Sequence, residues 1–166
     1  SKTIGKAKAS EIQERLINHT ITVAKALEQK GLIEIQFAIS GLAFKGSKRW
    51  AKEKGISNFQ CQGEGSLGLR MRKQILLANK TFNKKSIVSR NSILIGTDLP
   101  SLCQLDVLQA IEELEKNQVV IGPSQDGGYW LIGFSPSKFT EDLKWPFSGI
   151  PWGTDKVLDK TIQKAE

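Results

Sequence analysis

An α/β fold with a largely parallel sheet is what this sequence predicts, and three observations predict it. Apolar runs of strand length alternate with helical spacings long enough to serve as crossovers. The strand-like run "SILIGTD" (92–98) ends on a carboxylate with Pro100 two places on, at the kind of strand end where open α/β sheets gather ligands. A strand–Asp–Gly–Gly–strand arrangement around residue 126 mixes antiparallel pairing in toward the end. The chain has 166 residues, 39% hydrophobic and 25% charged, which suits one domain (1–166) with a sizeable core.

The elements follow in order. Ser10 can cap a helix that runs to Lys30, with Ile12, Leu16, Val23, Ala24 and Leu27 near one face and Gly31 as its stop. "LIEIQFAIS" (32–40) alternates and reads as a strand. "SKRWAKEKG" (47–55) is a short charged helix, "SNFQCQ" (57–62) a short strand, and "GEGSLG" a glycine-rich link. Residues 66–82 restore helical spacing, with Leu67, Met71, Ile75 and either Leu77 or Ala78 pointing inward. After the polar break "NKKS" (83–86) come the strand 92–98, a helix over 103–117, and two strand-like runs, 118–124 and 127–135. A Pro- and Trp-containing loop (136–153) leads to a closing helix over 154–165, and no repeat or linker divides the chain.

Composition narrows the function classes. No apolar run approaches the roughly 18 residues of a membrane span, and the basic start "SKTIGKAKAS" lacks the features of a secretory signal. Cys61 and Cys103 are isolated, which fits a reducing cytoplasm, and with His19 as the sole histidine a zinc site is disfavoured. His19 is expected at the surface or edge of the first helix. The net charge of +7 is uneven: residues 1–90 hold 18 Lys/Arg against 6 Asp/Glu, and residues 91–166 hold 6 against 11. Such asymmetry suits a basic surface facing an anion, either nucleic acid or a nucleoside diphosphate, although a merely soluble basic face is equally compatible.

Three stretches carry candidate chemistry. Asp98 either caps the next helix or holds a cation, and Ser101 lies closer to the expected helix start for the capping role. In "GPSQDGGYWLIGF", Asp126-Gly127-Gly128 can be a plain hairpin turn, or the glycines can let backbone approach a ligand on which Tyr129 and Trp130 pack. Two carboxylates at one sheet edge make a plausible Mg or Mn site, since such cations bind through one or two carboxylates plus substrate phosphates. In "GIPWGTDKVL", Thr154 and Asp155 can cap the last helix, or Trp152 and Gly153 can shape a pocket with Asp155 as base or hydroxyl-binding group.

Together, "IGTDLPSL", "GPSQDGGYWLIGF" and "GIPWGTDKVL", in this order and spacing, resemble a bacterial family of glycosyltransferase-like proteins with the nucleotide-diphospho-sugar transferase (GT-A type) fold. Its members are often labelled arsenosugar-biosynthesis or uncharacterised glycosyltransferases. The resemblance reaches "QGEGSLGLRM", similar to the family's Q…G-x-L-G-x-R-M segment, and covers nearly the whole chain. It implies a three-layer α/β/α sandwich with a mostly parallel mixed sheet, a nucleotide-sugar donor and a divalent cation, Mg or Mn. By motif, Asp98 stands where the metal-binding carboxylate lies, while Asp126, Gly127 and Gly128 line the donor or acceptor pocket, beside the substrate-binding candidate Tyr129. Trp152, Thr154 and Asp155 close that pocket, and Arg70 reaches phosphate or is an ordinary surface arginine. Asp155 and Asp126 are the expected catalytic carboxylates. The family usually opens with an apolar strand and a Pro-Gly loop ending in Lys-Thr-Arg-Leu. Here "SKTIGKAKAS" starts just beyond that point, so a truncated N-terminus is expected. Ser66 and Leu69 also stand where the family commonly has acidic residues.

The expected function is therefore metal-assisted transfer of a sugar from a nucleoside diphosphate sugar to an acceptor. One alternative is a nucleotidyltransferase acting on a nucleoside triphosphate, and another is a non-catalytic basic module binding RNA or another acidic partner. Tyr129, Trp130, Trp145 and Trp152 all lie in the acidic half, away from the cations that nucleic-acid stacking needs.

Overall fold

A computed structural model describes residues 5–83, 90–138 and 144–165. Helix α1 (Lys6–Gln29) starts ahead of Ser10, with Gly5 as N-cap. The intervening "KAKA" carries strong helix formers, which extend the helix upstream of the expected cap. Its later half supplies the buried residues, Thr20, Ile21, Val23, Ala24 and Leu27, whereas Ile12 is exposed. The stop is as expected, with Lys30 as C-cap and Gly31 at φ 71°.

Strand β1 (Phe37–Ile39) pairs in parallel with β2 (Phe59–Cys61), and α2 (Phe44–Glu53) connects them. Helix α3 (Leu67–Asn83) leads on to β3 (Ser92–Ile95), α4 (Gln104–Lys116), β4 (Val119–Pro123), β5 (Tyr129–Phe134) and α5 (Val157–Gln163). The expected break at 83–86 lies mostly outside the described residues. The second sheet has the order β3-β5-β4 and is antiparallel throughout. Parallel pairing is thus confined to β1–β2 among the described residues, rather than dominating. A short turn joins β4 to β5, and a connection that short forces antiparallel neighbours.

Three apolar clusters hold these elements. One gathers Ile75 of α3 with Ile132, Phe134 and Phe147, and Met71, Leu94 and Tyr129 pack on it. Leu67, expected inward, is instead 42% exposed at the start of α3. A second cluster joins Ile21 of α1 to Ile39, Ala51 and Ile56, and a third joins Val23 and Leu27 of α1 to Leu102 and Val107. Helix α1 therefore packs across both sheets. A fully buried side chain such as Leu27 contributes about 2 kcal/mol through area removed from water.

One irregularity decides what faces the site. Between β4 and β5 the register shifts, so that Gly122 pairs with Leu131 but Pro123 pairs with Tyr129. Trp130 is the extra residue of a β-bulge, and a bulge re-aims the side chains beside it. Tyr129 consequently shares a face with Ile132 and Phe134, and Trp130 turns to the α1–α4 side. Strict alternation would have reversed these two placements.

Candidate functional site

Asp98 lies three residues beyond β3. The strand end is pinned by Gly96 N–H, which donates to Trp130 O at 2.8 Å. A Cβ on Gly96 would fall 2.9 Å from Asp98 Oδ1, so the carboxylate folds back over that glycine. The loop beyond it is anchored twice: Leu102 is buried, and its carbonyl accepts a 2.8 Å bond from His19 Nε2 of α1. His19 is accordingly half-buried and structural, at the edge of α1 as one of the two expected placements had it. Nor does Asp98 cap α4. Cys103 is the N-cap, and its N–H donates to Asp106 Oδ2 at 2.7 Å; Ser101 has no part in it. Asp98 is exposed and its carboxylate has no hydrogen-bond or ion-pair partner among the described residues.

Asp126 is placed differently. Its Oδ1 accepts from Ser124 Oγ and from Gly128 N–H at 3.1 Å, which closes a turn inside the β4–β5 hairpin. The Ser124 hydroxyl, then the Gly128 amide, hold its carboxyl below the usual carboxylate range. Ser124 N–H to Gly128 O at 3.0 Å completes the turn. The turn is also docked on the third motif. A Cβ on Gly127 would sit 2.1 Å from Asp155 O, and Leu158 N–H donates to Gly127 O at 2.9 Å. Gly127 has φ 82°, a conformation that suits glycine and lets the two backbones touch.

Thr154 does not cap α5 directly. Its hydroxyl donates to Pro151 O at 2.8 Å and accepts from Lys156 N–H at 3.3 Å, which shapes the loop before the helix. The Asp155 side chain is exposed with no hydrogen-bond or ion-pair partner among the described residues. Trp152 meets Tyr129 edge-on, with ring centroids 6.1 Å apart. The Tyr129 hydroxyl is buried beside the Thr161 side chain, and burial pushes its pKa up to about 12. Tyr129 therefore supports Trp152 from beneath rather than presenting its hydroxyl. Gly153, at φ 81°, turns the chain between Trp152 and Thr154.

Arg70 is no ordinary surface arginine. It is half-buried and donates through Nη1 to Gln62 Oε1 at 2.8 Å, just beyond β2. Gln74, 6% exposed, donates to Cys61 O at 3.1 Å. Arg70 Nε and Gln74 Oε1 are buried without partners among the described residues. Orphaned buried polar atoms cost about 1–3 kcal/mol each, so this cluster has unspent capacity to bind. Gln62 and Gly68 belong to the Q…G-x-L-G-x-R-M segment without an expected role of their own, and Gln74 lies outside it. A Cβ on Gly68 would fall 2.1 Å from Phe147 O and 2.7 Å from Trp152 Nε1, so α3 docks on the Trp152 loop there. The "GSLG" link was the available signal for Gly68.

The three motifs thus converge. β3 pairs antiparallel with β5 through Ile95 and Leu131, which puts the Asp98 loop at the same sheet end as the Asp126 turn. That turn rests on residues 155–158. No group of three His, Cys, Asp or Glu side chains converges among the described residues. Exposed carboxylates with few protein partners do suit a Mg or Mn ion that substrate phosphates help to ligate.

Fold and site together define an α/β domain whose polar residues gather beyond its strand ends. The chain belongs to the DUF2064 family, described as "Uncharacterized protein conserved in bacteria", whose model matches residues 22–154. Its structure is similar to that of a putative nucleotide-diphospho-sugar transferase from Desulfovibrio desulfuricans G20, with a TM-score of 0.71 and 25% sequence identity. The match covers 98% of this chain and 65% of that one, so this chain spans about two thirds of its length. No curated protein matches. No helix of the described residues is long and apolar enough to cross a membrane.

Proposed function

We propose that this domain is a glycosyltransferase of the nucleotide-diphospho-sugar type, moving a sugar from a nucleoside diphosphate sugar to an acceptor. The observation that carries the reading is Asp98: a carboxylate without a partner among the described residues, on a loop anchored by Leu102 and His19, at the sheet end the other motifs share. The likeness to the Desulfovibrio protein supports the donor class.

In this reading Asp98 holds a divalent cation, Mg or Mn. When bound, that cation neutralises the diphosphate as the bond to it breaks. Arg70 offers its unpartnered Nε to a donor phosphate, a role its planar fork suits. Asp155, the freer of the two remaining acids, accepts the acceptor's hydroxyl proton. Asp126 is a fixed negative charge, because a carboxyl held below its usual range is a weak base at neutral pH. Gly127 and Gly128 let the turn backbone approach the ligand, and Thr154 and Trp152 close the pocket over Tyr129.

The finer parts of the family resemblance belong to the same proposal: one domain, a three-layer sandwich, and a further strand with a phosphate loop. Two separate sheets bridged by α1 are compatible with one added strand joining them. A thermal-shift screen of nucleoside diphosphates and their sugars, with and without Mn²⁺, tests the reading on this chain and on one extended at its start. Stabilisation that needs Mn²⁺ and disappears in Asp98→Asn supports it. Pyrophosphate release from a nucleoside triphosphate would instead select nucleotidyl transfer, and salt-sensitive RNA binding indifferent to Asp98→Asn would select a binding module.

A further inference from the structure

The basic charge of the first half has a concentrated part that the candidate site does not use. Helix α2 advances about 100° per residue, so Phe44, Lys48, Lys52, Lys45 and Arg49 fall within one arc of roughly 140°. Ser47 and Ala51 are buried on the adjoining arc, and Trp50 packs there beside Ile39 and Ile56. The outward arc carries four cations against Glu53, which lies at its edge. Arg49 is 3.9 Å from Glu53, while the ammonium groups of Lys45, Lys48 and Lys52 have no partner among the described residues. All four cations are exposed.

Beside these cations two large apolar side chains protrude. Phe44 is 65% exposed, touching Phe59 at a ring-centroid distance of 5.8 Å, and Leu42 is 45% exposed. Their backbone is held firm: Ser47 Oγ donates to Leu42 O at 3.3 Å, and Cys61 Sγ donates to Ser47 Oγ at 3.4 Å. Apolar side chains fixed in water beside unpaired lysines are an unfavourable arrangement for an isolated surface, and they complement one that is acidic outside and apolar just beneath.

We propose that α2 and the loop before it form a peripheral contact with an anionic bilayer surface. Leu42 and Phe44 enter the headgroup–acyl boundary, and Lys45, Lys48, Arg49 and Lys52 meet acidic headgroups. A basic patch plus inserted apolar residues is a combination that holds a protein on such a surface without a spanning helix. A single-stranded nucleic acid would use the cations and stack on Phe44, but it gains little from the aliphatic Leu42. The proposal does not depend on the transferase reading.

Co-sedimentation tests it with vesicles of phosphatidylcholine alone and with about one third phosphatidylglycerol, at low and high salt. The chain should pellet with the anionic vesicles at low salt and stay in solution with the neutral ones. Leu42→Ser and Phe44→Ser should each weaken the partition several-fold, and Lys45→Glu with Lys48→Glu and Lys52→Glu should weaken it more than tenfold, with melting temperatures retained. Leu42→Ser keeps the test decisive if Phe44→Ser loses stability with the Phe59 contact. Absence of anionic-vesicle binding, binding that these variants leave unchanged, or tighter binding to single-stranded RNA lost in the lysine variant but not in Leu42→Ser, would each overturn the proposal.

Discussion

Asp98 and Asp126 stand at the same end of the same sheet, yet the fold treats them in opposite ways. Asp126 accepts two bonds within its own turn, so its charge serves the hairpin first. Asp98 accepts none among the described residues, although its loop is fixed by His19 and by the buried Leu102. A carboxylate held in place by its backbone while its oxygens stay uncommitted is free to take the cation proposed for it. A carboxylate that closes a turn has a structural reason to exist, whatever else it does.

The comparison breaks most visibly if the Asp126 turn is not rigidly docked. Gly127→Ala puts a methyl group into Asp155 O and forces a side chain into φ 82°, so it should cost about 3 kcal/mol or more in urea unfolding. A loss below about 1 kcal/mol would mean that the two backbones do not touch. Leu27→Ala, in the cluster beneath the Asp98 loop, should cost about 2–5 kcal/mol by the same measurement.

Smaller effects sharpen it through pH. Tyr129 has its pKa raised to about 12 against an ordinary 10, so the folded state favours the protonated phenol. Its contribution is complete below pH 10 and is lost as pH rises toward 12. In Tyr129→Phe that part of the alkaline loss of melting temperature should disappear, with stability at neutral pH nearly unchanged. Asp126 has the opposite sign. Its depressed pKa adds stability above the ordinary carboxylate range and loses it as pH falls through the folded value. Asp126→Ala should therefore flatten the acid limb of the melting curve. Asp98→Asn, with no partner to lose among the described residues, should leave stability within about 0.5 kcal/mol of the parent.

The sequence made the alternation of elements legible, because periodicity and glycine stops depend on nearby residues. Gly31 and Gly55 do end or follow their helices with positive φ. What stayed hidden depends on pairing. The antiparallel second sheet follows from β5 lying between β3 and β4, a neighbour relation no local pattern encodes. The bulge at Trp130, which turns Tyr129 toward Trp152, is a matter of register. The cap of α4 moved from Ser101 to Cys103 because Asp106 reaches back to that amide. At the site, Asp98, Asp126 and Asp155 were legible as carboxylates beside glycines. That Asp126 is tied and Asp98 is not required coordinates. The role of Gly68 was hidden because it lies in how closely Phe147 and Trp152 approach.

The most direct test is calorimetric titration of Mn²⁺ into the chain with a nucleoside diphosphate present, comparing Asp98→Asn with Asp126→Asn. A single charge-assisted ligand contributes about 1.5–3 kcal/mol, so Asp98→Asn should weaken Mn²⁺ binding by roughly tenfold or more. Asp126→Asn should stay within about threefold of the parent, since its bonds go to the turn. Equal losses in both variants, or a larger loss in Asp126→Asn, would contradict the assignment of Asp98 as the cation-binding carboxylate.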